Sequence, residues 1–118
     1  MKKLTEKEYG IMSILWSDGP ISMRELVENM EEPRPHFNTV ATLVHRLEEH
    51  HMVSHQAIGA KFYLYEAAVT KEQYANFVNK KELKQLFDGS YIDFISQLVK
   101  EEEVSIEELK ELIRMVEE

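Results

Sequence analysis

The sequence predicts a mainly α chain interrupted by one small β-hairpin, an α+β arrangement of three helices, two strands and three further helices. Three observations carry that prediction. A Ser or Thr followed three residues later by an acid or amide recurs at five places, which is the signature of a helix start. Apolar residues then follow at helical spacing. The pattern changes once, between Val53 and Tyr65, to a run of strand-forming residues around Gly59-Ala60.

In chain order, Thr5 with Glu8 opens a first helix over about 6–17, carrying Tyr9, Met12, Leu15 and Trp16 on one side, and Ser17-Asp18-Gly19-Pro20 ends it. Ser22 with Glu25 opens a short second helix through Leu26, Val27 and Met30, stopped by Pro33 and Pro35. The third helix runs from His36 to His51. Val40, Leu43, Val44 and Leu47 fall at i, i+3, i+4 and i+7 and form its core face. Val53 to Ile58 and Lys61 to Tyr65 then read as two strands joined at Gly59-Ala60.

Beyond the hairpin the pattern is wholly helical. Thr70 with Gln73 starts a helix bearing Tyr74, Phe77, Val78, Leu83, Leu86 and Phe87, and Asp88-Gly89 stops it. Ser90 with Asp93 starts the next, with Phe94, Ile95 and Leu98 among its apolar residues; Ser105 with Glu108 starts the last, through Leu109, Leu112, Ile113 and Val116. Three short helices in about 49 residues make too small a core to be stable alone, so a partner surface is implied. The order of elements is that of a winged helix-turn-helix, residues 1–68, followed by a helical dimerisation region, residues 69–118. Tyr74, Phe77, Val78, Phe87, Phe94, Ile95, Leu98, Leu109, Leu112, Ile113 and Val116 are the expected dimer contacts.

Composition narrows the function. The chain holds no cysteine, which removes disulfide scaffolds, thiolate metal sites and cysteine nucleophiles together. No apolar run of 18 or more residues and no signal peptide is present, so the chain is expected in the cytoplasm and not inserted in a membrane. The net charge of −8 is unlike that of proteins that coat nucleic acid indiscriminately. That charge is unevenly spread. Residues 67–118 hold seven Lys/Arg against twelve Asp/Glu, whereas Pro33 to Phe62 holds Arg34, Arg46 and Lys61 against Glu48 and Glu49, together with all five histidines.

The electropositive stretch contains the third helix, whose outer face carries Asn38, Thr39, Thr42, His45, Arg46 and Glu49. On pattern alone such a stripe is the solvated side of an amphipathic helix. Its position after a proline-bounded turn and before a hairpin is where a helix-turn-helix places its reader in the major groove. The side chains suit base reading, since Arg can take guanine bidentately, Asn adenine, and Thr a base or the thymine methyl. Arg34 just before the helix and Lys61 at the hairpin turn stand where a DNA backbone would pass, and His36 is counted among the DNA-binding residues. The expected partner is therefore double-stranded DNA carrying a palindromic operator, bound by a homodimer.

Other classes leave less trace. The histidines His36, His45, His50, His51 and His55 provide no i, i+4 pair within one helix, so neither a metal nor any cofactor is expected. No catalytic motif or carboxylate pair among apolar residues marks an enzyme. The alternatives are a winged helix that docks a basic protein partner and a histidine-based metal-sensing regulator.

With these residues in hand, the chain resembles the penicillinase and methicillin-resistance repressor family, a relative of the copper-responsive repressors. The resemblance rests on Leu4-Thr5-Glu6-Lys7-Glu8 through Ile11-Met12 and Leu15-Trp16, on Asn38-Thr39-Val40 through Leu43 and Arg46-Leu47, on Phe62-Tyr63-Leu64-Tyr65, and on Phe87-Asp88-Gly89. It implies an N-terminal winged helix, C-terminal dimerisation helices, and repression at palindromic operators. It also implies, as a further partner, a membrane sensor protease whose signal leads to a cut in the dimerisation helices. The matching bond lies near Gln97 and Leu98, where the family carries an Asn-Phe pair. Ala41 is a second departure, since the resistance repressors carry arginine there. The absence of a C-terminal Cys pair separates the chain from copper-thiolate sensors.

Overall fold

Five of the six helices begin where their capping residues stand. The computed structural model describes all 118 residues, which fall into two units, Met1–Phe77 and Val78–Glu118. In the first, α1 (Glu6–Asp18), α2 (Met23–Glu28) and α3 (Phe37–Glu49) precede the antiparallel strands β1 (Val53–Ile58) and β2 (Phe62–Ala67). The first two turns of α4 (Lys71–Phe87) complete it. Thr5 with Glu8 and Ser22 with Glu25 form the expected capping boxes on α1 and α2.

Glu8 does more than cap. Its side chain is almost fully buried, accepts the Thr5 N–H at 2.9 Å and pairs with Lys2 at 2.8 Å. Burial alone would raise its pKa, but the bond from Lys2, the bonds from Thr5 and the Lys2 charge together hold it below its ordinary value.

The core of this unit is built from Ile11, Met12, Leu26, Val40, Val44, Leu47 and Met52, none of which retains any exposure. At about 1.5–3 kcal/mol for each such side chain, their burial is the main stabilising term. The core face of α3 is the one expected, with Leu43 half-buried at its margin. On α1 the inner face is rotated: Ile11 stands at its centre and Tyr9 at the edge, 40% exposed. Tyr9 and Trp16 instead join Tyr74 of α4 in an aromatic cluster, with ring centroids 5.8 to 6.4 Å apart. Trp16 donates its indole N–H to the Val69 carbonyl at 2.9 Å, and the Tyr74 hydroxyl accepts the Leu4 N–H at 2.8 Å.

The hairpin pairs Val53 with Ala67 through Ile58 with Phe62, so β2 starts one residue later and ends two later than expected. Glu66 and Ala67 extend it because Ser54 and Val53 lie opposite them. Ile21, in the turn before α2, adds a bridge to Tyr65 with bonds of 3.0 and 2.7 Å. At the other end of α3, the His51 N–H bonds the Glu48 carbonyl and the Met52 N–H bonds the Leu47 carbonyl, with His51 at φ 59°. That is a Schellman cap in which histidine occupies the left-handed position usually given to glycine.

The second unit contains the rest of α4, α5 (Tyr91–Lys100) and α6 (Ile106–Glu117). Asp88 and Gly89, at φ 51° and 82°, end α4, and Ser90 and Ser105 cap the next two helices. Leu83 is buried and Phe87 meets Phe94 edge-on at 5.4 Å. Neither α5 nor α6 buries a single residue, although both are strongly amphipathic. No helix of the chain is long and apolar enough to cross a membrane.

Candidate nucleic-acid interface

Once Val40, Val44 and Leu47 commit one face of α3 to the core, helical geometry turns Asn38, Thr42, His45, Arg46 and Glu49 outward. All five are exposed, as is Thr39 beside them, while Glu48 next to Glu49 is half-buried. The Thr42 hydroxyl donates to the Asn38 carbonyl at 2.9 Å, which orients the side chain and leaves its oxygen free to accept.

The start of α3 differs from every other helix start in the chain. Its N-cap, His36, makes no side-chain cap bond, and its first turn holds no acid. The other five helices each have a Ser or Thr cap and at least one acidic residue in the first turn. The free N–H groups and the positive dipole end of α3 are thus left unanswered by the chain itself, which favours an external anion there.

The cations divide into paired and unpaired. Arg24 is held by Glu28 at 3.4 Å and Arg34 by Glu32 at 3.3 Å, and the same Glu32 carboxylate accepts the Arg34 N–H. Arg46 and Lys61 have no carboxylate partner in the chain. Lys61 and His45 line one cleft of about 280 Å³ between α3 and the hairpin, together with Phe37, Ala41, Phe62 and Tyr63. Arg34 and Thr39 stand on the opposite flank, beside a groove along α1. The residues expected from sequence therefore form a central stripe with Lys61 on one side and Arg34 on the other.

Phe37 and Tyr63 belong to this surface and were not among the expected contacts. Phe37, on the first turn of α3, is 50% exposed, an unusual position for a large apolar side chain that a core reading of the sequence would bury. Its place just before the polar stripe was the available signal.

The histidines scatter. His50 and His51 end α3, while His55 on β1 meets Glu48 of α3 with Nδ1 2.5 Å from the carboxylate and lies edge-on to Tyr63 and tilted against Tyr65. This contact ties the hairpin to α3 and engages a carboxylate beside the exposed stripe. Burial pushes the Tyr65 hydroxyl above its ordinary pKa, with Glu48 and Tyr63 adding to the effect, so it stays neutral. No three His, Asp or Glu side chains come together as a metal-holding group.

Of the expected dimer contacts, Tyr74 is buried within the N-terminal unit by Tyr9 and Trp16, so a single chain accounts for its burial. Phe77, Val78, Phe87, Leu98 and Leu109 are half-buried. Phe94, Ile95, Leu112, Ile113 and Val116 are exposed, Val116 by 77%.

The fold is a winged helix, and the family it falls in is one of DNA-binding transcriptional repressors. The family model described as penicillinase repressor matches residues 4–118, and the chain belongs to that family. Among solved structures it is similar to the transcriptional regulator SlyA, at 22% identity over 98% of this chain and 75% of that one, with a TM-score of 0.51. A transcriptional regulator from Pseudomonas aeruginosa is similar at 17% identity over 98% and 77%, with a TM-score of 0.50. A MarR-like transcription regulator from Bacillus cereus follows at 22% over 96% and 73%, TM-score 0.49. At these identities the likeness to the first two is one of fold. A search of curated proteins gives no significant match.

Proposed function

We propose that the protein is a cytoplasmic homodimeric repressor that sets two copies of α3 into successive major grooves of a palindromic operator, roughly 34–36 Å apart. The observation that carries this reading is the start of α3, which has neither cap nor acid and leads into an exposed hydrogen-bonding stripe ending at the unpaired Arg46. Asn38, Thr39, Thr42, His45 and Arg46 read bases, while Arg34, His36 and Lys61 contact the backbone. The uncovered apolar faces of α5 and α6 support the dimer.

Loss of the dimer is the proposed route of relief, because one head alone makes too few phosphate contacts to hold a site. A membrane sensor protease that cuts α5 near Gln97 and Leu98 is one means to that end. The test is selection from pooled random duplexes with the purified protein at two salt concentrations. Enrichment of a palindrome with half-sites about one helical turn apart, weakened by salt, supports the reading. Failure to enrich any sequence at either salt removes it and favours a protein partner.

A further inference from the structure

The N-terminal unit leaves few large apolar side chains exposed, and most of them gather at the reading face. Phe37, Phe62 and Tyr63 are 50%, 52% and 45% exposed and line the cleft beside α3 with Ala41. Ile58, 49% exposed, lies opposite Phe62 in the hairpin register. Phe37 and Ala41 stand at i and i+4, one turn apart on the same edge of the helix. Each is next in sequence to a member of the hydrogen-bonding stripe, Asn38 or Thr42.

The first two turns of this edge, before His45 continues it, therefore meet a major groove with different chemistry from the adjoining stripe. Asn38, Thr42 and Arg46 can satisfy donors and acceptors on base edges. Phe37 and Ala41 can satisfy none, and pressed against guanine O6 and N7 or cytosine N4 they would leave a desolvated polar group without a partner, at a cost in affinity. The one apolar group that a base pair shows in the major groove is the thymine 5-methyl. We infer that Phe37 and Ala41 select thymine by its methyl group, so that part of the operator's sequence is read by apolar contact rather than by hydrogen bonds. This rests on the repressor reading above and adds to it the bases that one helix edge must face.

The test uses the full-length protein and the palindrome recovered by selection, with thymines replaced one position at a time by deoxyuracil, which removes only the methyl. The expected result is a loss of about fourfold in affinity at one or two thymines per half-site, the transfer value of one methyl group. In Phe37→Ala the penalty at one of those positions disappears, and selection repeated with Ala41→Gln no longer returns thymine at the other. Phe37 is half-exposed and Ala41 outside the core, and thermal melts confirm that both variants are folded before they are titrated. An operator whose uracil versions all bind as tightly as the thymine original would overturn the inference while leaving the repressor intact. Recovery of no operator at all would overturn both.

Discussion

Glu8 illustrates how much a single residue can contribute to one end of a helix. It closes the capping box with Thr5, pairs with Lys2 and stays ionised while almost fully buried. Glu8→Gln is expected to lower stability by about 1–2 kcal/mol, read from the urea midpoint, since the amide keeps a hydrogen bond and loses the charge. The sign of its pH dependence follows from the depressed pKa. The folded-state value lies below the ordinary 4.5, so the contribution is complete above that pH and is lost as the pH falls through the folded value. Wild type and Glu8→Gln should therefore converge in stability under acid; a gap that persists there would show that the charge is not what stabilises. Arg46 is the corresponding residue for binding. With no carboxylate partner it costs nothing to redirect, and Arg46→Ala should weaken operator binding by at least about 1 kcal/mol in a fluorescence titration while leaving the melting temperature unchanged.

Among the elements, α3 has given up local stability that the other helices keep. Five helix starts carry a hydroxyl cap and an acid; α3 carries His36 and a neutral first turn. His36→Asp supplies both missing features and is expected to raise stability by about 1 kcal/mol while weakening operator binding. Parallel thermal melts and titrations check the opposed signs, and a variant that gains in both would sink the phosphate role of this helix end. The same contrast explains what the sequence disclosed. Capping is local, so Thr5, Ser22, Thr70, Ser90 and Ser105 announced their helices, and the periodic Val40, Val44 and Leu47 announced the core face that sets the reader outward. What depended on distant partners was hidden. The bridge between Ile21 and Tyr65, the rotation of α1 that buries Ile11, and the use of Tyr74 in the N-terminal core all need the tertiary fold. The exposed Phe37 was missed for a related reason: an apolar residue at a helix start is ordinarily assigned to a core.

For the whole molecule, the division of charge and of apolar surface supports the separate roles proposed for the two units. The C-terminal unit is acidic and exposes Leu86, Ile92, Ile113, Met115 and Val116 by more than half. Ile113→Glu, a change at an exposed position, is expected to leave the N-terminal unit folded, to shift the protein from dimer to monomer in sedimentation equilibrium, and to cut operator affinity by at least about tenfold. Unaltered sedimentation would place the dimer contact elsewhere.

The bare faces of α5 and α6 also bear on how the repressor responds to its own abundance. For the homodimer proposed above, below its dissociation constant the dimer population would vary as the square of the chain concentration, so halving synthesis would reduce it about fourfold. A promoter held this way responds to dilution by cell growth more steeply than one held by a monomer. In the proposed dimer the same feature would set a threshold of expression below which the regulated gene escapes control, with no inducer present.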